Sequence, residues 1–145
     1  MKKDIVFFDT EVGLDDKKIH DIGAIRNGMN FHSVSLRGFL SFVSNAEYLC
    51  GHNIIHHDLQ YLKDTCISSI KAIDTLYLSP LLFPCRPYHK LLKDDKLQVD
   101  QLNNPLNDAQ KAMQLFYDEV NAFNALTSKT RQIFCHLLYP YEEFK

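Results

Sequence analysis

The 145-residue sequence has few cysteines, no long apolar run and no targeting segment. Its four cysteines are Cys50, Cys66, Cys85 and Cys135. None belongs to a C-x-x-C pair, so a disulfide framework is not expected and reduced thiols are the ordinary interpretation. No apolar stretch is long enough to span a bilayer, and the N-terminal segment has no small-residue cleavage site. We therefore expect a cytoplasmic protein with no membrane partner.

The sequence also has little net charge. Sixteen basic side chains stand against 18 acidic ones, which gives a formal charge of −2. General attraction to nucleic acid is therefore not expected, and any contact with DNA or RNA must use a local site. The length suits one domain, spanning residues 1–145. The sequence ends abruptly at YPYEEFK, and we therefore expect this domain to be the N-terminal part of a longer chain.

Periodicity predicts a hairpin followed by alternating strands and helices. Asn27-Gly28 is a strong hairpin turn between two apolar segments. The clearest helix lies at residues 104–126, where apolar residues recur at steps of three and four. This order predicts an α/β fold with a mixed sheet. The expected strands are 4–9, 19–25, 29–33, 46–50 and 70–73, and the other expected helices are 36–44, 53–66, 76–83 and 128–138.

Acidic residues lie at the expected ends of these elements. Asp9 and Glu11 alternate on the first strand, so they point the same way where its apolar run ends. Asp58 borders the apolar face of the expected helix 53–66, and Asp108 lies in the first turn of the long helix. Taken alone, the first pair is better explained by solvation at a strand end, and Asp108 by the helix dipole. The residues alone leave a cation site and these simpler explanations open.

Four motifs in order resemble the DnaQ-like, or DEDD, 3′–5′ exonucleases of the ribonuclease H-like superfamily. They are the strand VFFDTEVG, the segment LCGHNIIHHDLQYL, the connection IDTLYLSPLLFP and the late helix start NNPLNDAQKA. The resemblance covers almost the whole chain and is closest to the exonuclease-like domains that precede RecQ-type bacterial helicases. It implies a ribonuclease H-like three-layer fold, with about five strands in a mixed sheet flanked by helices.

The resemblance also implies a reaction and its residues. Two divalent cations, Mg²⁺ or Mn²⁺, would support hydrolysis at the 3′ end of a nucleic acid, with single-stranded DNA as the expected partner and a helicase domain in the same chain. The implied catalytic and metal-binding residues are Asp9, Glu11, Asp58 and Asp108. The candidate substrate-binding residues are Thr10, Val12, His52, Asn53 and His57. Of these, His52 and Asn53 are expected chiefly to fix the turn into the helix 53–66, which Asn53 can cap.

The sequence departs from the family at the general base. Asn103 occupies the position of the family's usual catalytic histidine, and Asn104 occupies that of the tyrosine in a second branch. Neither amide accepts a proton at neutral pH, although either can cap the helix that begins at Pro105. We therefore expect either a slow exonuclease or a module that binds ends without cutting them. His89 is a weaker candidate for a substitute base.

Two other interpretations remain. Cys50, His52, His56 and His57 cluster in sequence, but no second pair at zinc-finger spacing accompanies them. The segment CRPYHKLLKDDK interleaves basic residues with Tyr88, a composition that can hold a single strand. Its aspartates dilute that charge, so a solvated surface is the simpler explanation.

Overall fold

The computed structural model describes residues 3–91 and 104–144. Their five strands form one mixed sheet in the order β3-β2-β1-β4-β5. The first three strands are antiparallel neighbours, whereas β4 runs parallel to both β1 and β5. The strands are β1 (Ile5–Val12), β2 (Ile19–Arg26), β3 (Met29–Ser33), β4 (Tyr48–Gly51) and β5 (Lys71–Asp74).

The predicted hairpin joins β2 and β3. Arg26 pairs with Met29, and the two residues between them, Asn27 and Gly28, have φ angles of 52° and 81°. Two successive positive φ values match the twist of the flanking strands, and asparagine followed by glycine tolerates them best. The hairpin prediction is therefore confirmed.

Four α-helices lie within the described residues, and side chains cap the N-terminus of each. Ser35, Asp74, Asn104 and Thr127 each accept a hydrogen bond from a backbone N–H of the first turn. These bonds satisfy amides that have no partner inside the helix. The helices are α1 (Leu36–Phe42), α2 (Thr75–Leu82), α3 (Pro105–Ala125) and α4 (Ser128–Leu138).

The sheet has a packed layer on each face. On one face Phe8 contacts Phe39 of α1, with ring centroids 5.4 Å apart, and the segment 54–67 completes the layer. On the other face Phe7 contacts Phe116 of α3 at 5.6 Å. Because neighbouring residues of β1 alternate between these layers, each residue beyond Phe8 has a defined direction.

One predicted helix and the end of one predicted strand are wrong. The expected helix 53–66 is a series of turns with two short 3₁₀ segments, Asp58–Tyr61 and Cys66–Ser69. Asn53 adopts a φ of 65°, which a helix does not allow, and the buried Ile54, Leu62 and Ile67 pack on the sheet without regular spacing. Strand β1 also continues to Val12 and does not end near Asp9, because Glu11 still pairs with Asp21 of β2.

The fold is α/β with a five-stranded mixed sheet, as the sequence predicts, and is compatible with a three-layer arrangement. No helix among the described residues is long and apolar enough to cross a membrane. The cytoplasmic location and the assignment of residues 1–145 to one domain of a longer chain stay predictions.

Candidate functional site

Three of the four predicted acids lie together. Asp9 and Glu11 are on the same face of β1 as Phe7, the face that α3 covers, and Asp108 lies in the first turn of α3. Each offers a carboxylate oxygen, and these oxygens all lie within 4.8 Å of one another. All three side chains are half-buried. We call Asp9, Glu11 and Asp108 the acidic trio.

Gly23 allows α3 to approach the sheet closely enough to complete the trio. It lies opposite Asp9 in the ladder between β1 and β2. A Cβ atom at Gly23 would lie 2.0 Å from the backbone nitrogen of Leu106 and 2.3 Å from the carbonyl carbon of Pro105. The first turn of α3 therefore rests on a strand position that has no side chain. The sequence contained a signal for this contact, since glycine inside a strand often marks a close backbone approach.

The spacing of the trio fits a small divalent cation. Ligands about 2.1 Å from an octahedral ion lie about 3.0 Å apart when adjacent and about 4.2 Å apart when opposite. Oxygens that are all within 4.8 Å of one another can reach such positions with small side-chain adjustments. At that separation two carboxylates repel each other by about 1 kcal/mol even in bulk water, so a shared cation would relieve the repulsion.

Asp58 lies beside the trio but outside the group of mutually close oxygens. Its side chain is only 1% exposed. Its Oδ1 accepts hydrogen bonds from the backbone N–H of Thr10 at 2.8 Å and from the Thr10 hydroxyl at 2.5 Å. Asp58 therefore contacts the residue between Asp9 and Glu11. Whether it also binds a cation stays a prediction.

Thr10, predicted as a substrate-binding residue, is hydrogen-bonded within the protein. Its side chain points away from the trio, is buried, and donates to Asp58 together with its own amide. Both polar groups are thus already used within the protein. Val12 is half-buried next to an irregularity in the β1–β2 register, and its substrate role stays a prediction.

His57 adds an imidazole beside the same strand end. Its Nδ1 lies 3.5 Å from Asp58 Oδ2, and its side chain is 48% exposed. The hydrogen bond with Asp58 raises the pKa of His57, partial burial opposes the shift, and the charge of Glu11 adds to it. The imidazolium is therefore favoured next to the carboxylates.

The loop after β4 is held by Asp74, a residue to which the sequence analysis gave no role. Asp74 Oδ1 accepts from the amides of Asn53 at 2.7 Å and Leu76 at 2.9 Å, and its Oδ2 accepts from Ile55 at 3.0 Å. One buried carboxylate thus caps α2 and secures the turn. Asn53 does not cap a helix as predicted, because no helix follows it. The aspartate before Thr75 was a recognisable capping signal.

His52 is packed into the wall of this region. Its Nδ1 lies 2.9 Å from Thr75 Oγ1, and its Nε2 is buried without a hydrogen-bond partner among the described residues. Burial lowers the pKa of His52, so the neutral ring is favoured. These contacts agree with the predicted role in the turn, and substrate binding by His52, Asn53 and His57 stays a prediction.

The structure describes one of the two asparagines for which the sequence left a catalytic position or a helix cap open. Asn104 Oδ1 accepts from the amide of Leu106 at 3.0 Å, so Asn104 is the N-cap of α3, as its alternative interpretation predicted. Asn103, at the position of the family's catalytic histidine, lies outside the described residues, and its place among the catalytic residues stays a prediction. His89 is hydrogen-bonded to Ser79, with 2.8 Å between His89 Nδ1 and Ser79 Oγ.

The described residues do not bring together the cysteine and histidines of the zinc alternative. In residues 3–91 and 104–144, the acidic trio is the one set of three or more His, Cys, Asp or Glu side chains whose ligand atoms lie this close together. Cys50 is buried in β4, His52 contacts Thr75, and His56 Nε2 lies 2.5 Å from the Tyr77 hydroxyl. The cysteine and histidines that cluster in sequence therefore lie in separate surroundings.

Glu119 is a buried titratable group that sequence reasoning missed. Val120 is one of the apolar residues that recur at helical spacing in 104–126 and was expected to be buried. It is 37% exposed, whereas Glu119 is 1% exposed. Neither carboxylate oxygen of Glu119 has a hydrogen-bond partner among the described residues. Burial, assisted by the negative charge of Asp74 and opposed by Arg86, raises the pKa of Glu119 to about 8. The side chain is therefore mostly protonated at neutral pH.

Comparison with known proteins adds no family assignment, since neither a protein-family model nor a curated protein sequence matches this chain.

Proposed function

We propose that this chain is a divalent-cation-dependent 3′–5′ exonuclease domain of the DnaQ-like type, which hydrolyses phosphodiester bonds at nucleic-acid 3′ ends. The observation that carries the proposal is the acidic trio, in which Asp9 and Glu11 meet a carboxylate almost one hundred residues away in sequence, Asp108. Exposed acidic groups are common without an ion. The trio supports the proposal because its members are three of the four acids that the resemblance implies, from the first and the last of the ordered motifs.

Further support comes from the surroundings of the trio. The five-stranded mixed sheet is compatible with the ribonuclease H-like fold that the motifs imply. Asp58, the fourth acid of the implied metal site, is hydrogen-bonded to Thr10 and so lies at the same end of β1. Under this proposal Asp58 and the trio hold two Mg²⁺ or Mn²⁺ ions.

The bound cations would supply a water of lowered pKa and stabilise the departing 3′ oxygen. The protein would contribute the oxygen ligands and their positions, through β1, through the first turn of α3 and through the contact at Gly23. General-base assistance is typically worth about 10²–10⁴-fold in rate. Since asparagine takes the place of the family's base, we propose slow turnover.

A second candidate is a module that binds 3′ ends without cutting them and guides a helicase domain in the same chain. One observation favours it: Asn104, at the position of the second branch's tyrosine, is committed to capping α3. This candidate needs the same end-binding surface but no catalysis, so a cleavage assay separates the two.

The decisive experiment incubates the protein with a 5′-labelled single-stranded oligonucleotide and Mn²⁺. We expect a ladder that shortens from the 3′ end, that chelation of the metal prevents, and that a 3′-terminal phosphorothioate slows. Asp9→Ala and Asp108→Asn should abolish the ladder, whereas Asp64→Asn, which changes an exposed acid away from the trio, should not.

Metal binding gives a second readout. Mn²⁺ should raise the melting temperature of the wild type by mass action, and not that of Asp108→Asn. Absence of a ladder together with this metal-dependent shift would support the end-binding module. Absence of both would refute the metal site itself.

A further inference from the structure

A groove with basic and aromatic walls lies along α3 and includes Lys111, which follows Asp108 of the acidic trio by three residues. Its volume is about 320 Å³. One wall is the chain that follows α2, and the other is the middle of α3. The residues that give it chemical character are Arg86, Tyr88, His89, Lys90, Lys111 and Asp118.

The groove carries a positive charge in a protein that is negative overall. Three cationic side chains, Arg86, Lys90 and Lys111, face one carboxylate, Asp118. The formal charge of the whole chain is −2. Clefts lined by one sign of charge raise the local concentration of oppositely charged ligands. The charge of this lining therefore favours an anionic ligand.

Internal contacts hold the groove wall in place while leaving one ring accessible. The Arg86 guanidinium lies 3.9 Å from the centroid of the Phe83 ring, and His89 is hydrogen-bonded to the buried Ser79. Tyr88, between them, is 82% exposed. An exposed ring beside fixed cations suits the stacking of a base whose phosphates contact the cations.

The groove begins one helical turn from the trio. Lys111 follows Asp108 by three residues on α3, which places the two side chains on neighbouring positions of one helix face, about 4.5 Å apart along the axis. A chain of phosphates with one end at the trio can therefore continue into the groove.

We propose that this groove binds a single-stranded nucleic acid upstream of its 3′ end, with phosphates on Arg86, Lys90 and Lys111 and a base stacked on Tyr88. The direction of the strand rests on the proposed function, which puts its 3′ end at the acidic trio. A single strand is favoured over a duplex because the bases of a duplex stack on one another and present no free face to a tyrosine.

The test measures binding without cleavage, by fluorescence anisotropy of a labelled 15-nucleotide single strand in EDTA. We expect the double variant Arg86→Gln/Lys90→Gln to bind at least tenfold more weakly, with a salt slope reduced by about 0.7 for each lost phosphate contact. Tyr88→Ala should bind about tenfold more weakly, and Tyr88→Phe should retain affinity because it keeps the ring. Lys63→Gln and Lys129→Gln change exposed lysines outside the groove and should bind like the wild type.

Three results would overturn the groove assignment: no binding of the strand, equal affinities for groove and control variants, or equal competition by a duplex of the same length. The Mn²⁺ cleavage assay keeps the two proposals separate. If Arg86→Gln/Lys90→Gln still cleaves the strand and the KM of cleavage is unchanged, the groove assignment is refuted and the exonuclease proposal stands. Groove-dependent binding without any ladder would refute the exonuclease and leave the groove.

Discussion

The contact at Gly23 gives the sharpest test of how the site is built. Gly23 does not have a positive φ, so alanine is allowed by the backbone and the obstacle is purely steric. The new Cβ would lie 2.0 Å from the Leu106 nitrogen, whereas non-bonded heavy atoms are best about 3.5 Å or more apart. The first turn of α3 would have to move by about 1.5 Å, and Asp108 would move with it.

We expect Gly23→Ala to lower the free energy of unfolding by about 1–3 kcal/mol, the usual cost of overpacking. Where the backbone permits alanine, replacing glycine normally stabilises a protein by about 0.4–1 kcal/mol, so even the sign of the change is diagnostic. Displacement of one ligand by about 1 Å can cost about 100-fold in rate. Mn²⁺ affinity and exonuclease rate should therefore fall together with stability.

The measurements are urea unfolding, Mn²⁺ titration and the cleavage assay, with circular dichroism to verify that the variant is folded. Gly38→Ala in α1 is the matched control. Its nearest contacts would be side-chain atoms of Ser35 and Phe31 at 3.3–3.5 Å, which can adjust, and alanine favours a helix. A Gly23→Ala protein with wild-type stability and wild-type Mn²⁺ affinity would refute the argument that this contact positions Asp108.

Three further predictions concern buried polar groups, each followed by urea unfolding. Thr10→Val should cost about 1–3 kcal/mol because it removes the hydroxyl donor of buried Asp58, while Thr10→Ser should cost little; equal losses would contradict this. Asp74→Ala should cost at least about 3 kcal/mol, since three backbone amides lose a charged acceptor, and more than Asp74→Asn; a loss under 1 kcal/mol would exclude that role. Glu119 binds a proton more tightly in the folded state, with a pKa of about 8 against an ordinary 4.5, so its contribution is complete below about pH 4.5 and is lost as pH rises through about 8. Glu119→Gln should flatten the decline in stability between these limits, and an unchanged pH profile would show that this carboxyl is not its cause.

Local signals predicted much of the fold. The Asn27-Gly28 turn and the last helix, Ser128–Leu138, lie where the sequence indicated. Each depends on a few neighbouring residues, whose backbone preferences are expressed wherever they occur. The three acids of the trio were also predicted. That prediction came from the motifs, since nothing local in the sequence shows that Asp108 lies near Asp9 and Glu11.

Features that depend on distant contacts were not predictable in this way. Residues 53–66 have helical spacing, yet Asp74 binds the amides of Asn53 and Ile55 and holds a non-helical turn. Similarly, helix periodicity placed Val120 on the buried face, but α3 instead buries Glu119 near Cys50 of β4. Propensity is a weak prior when tertiary contacts compete with it.

The D-T-E sequence of β1 shows how one strand can join both layers to the same site. Asp9 and Glu11 point toward α3 and Asp108, while Thr10 points the other way and donates twice to Asp58. Since the Thr10 amide belongs to the same strand backbone that carries both carboxylates, any shift of Asp58 changes the direction of Asp9 and Glu11. Asp58 can therefore affect the proposed cation site through the backbone of β1 even from outside the trio. On this argument Thr10→Val should weaken Mn²⁺ binding as well as stability, although Thr10 itself offers the trio no ligand.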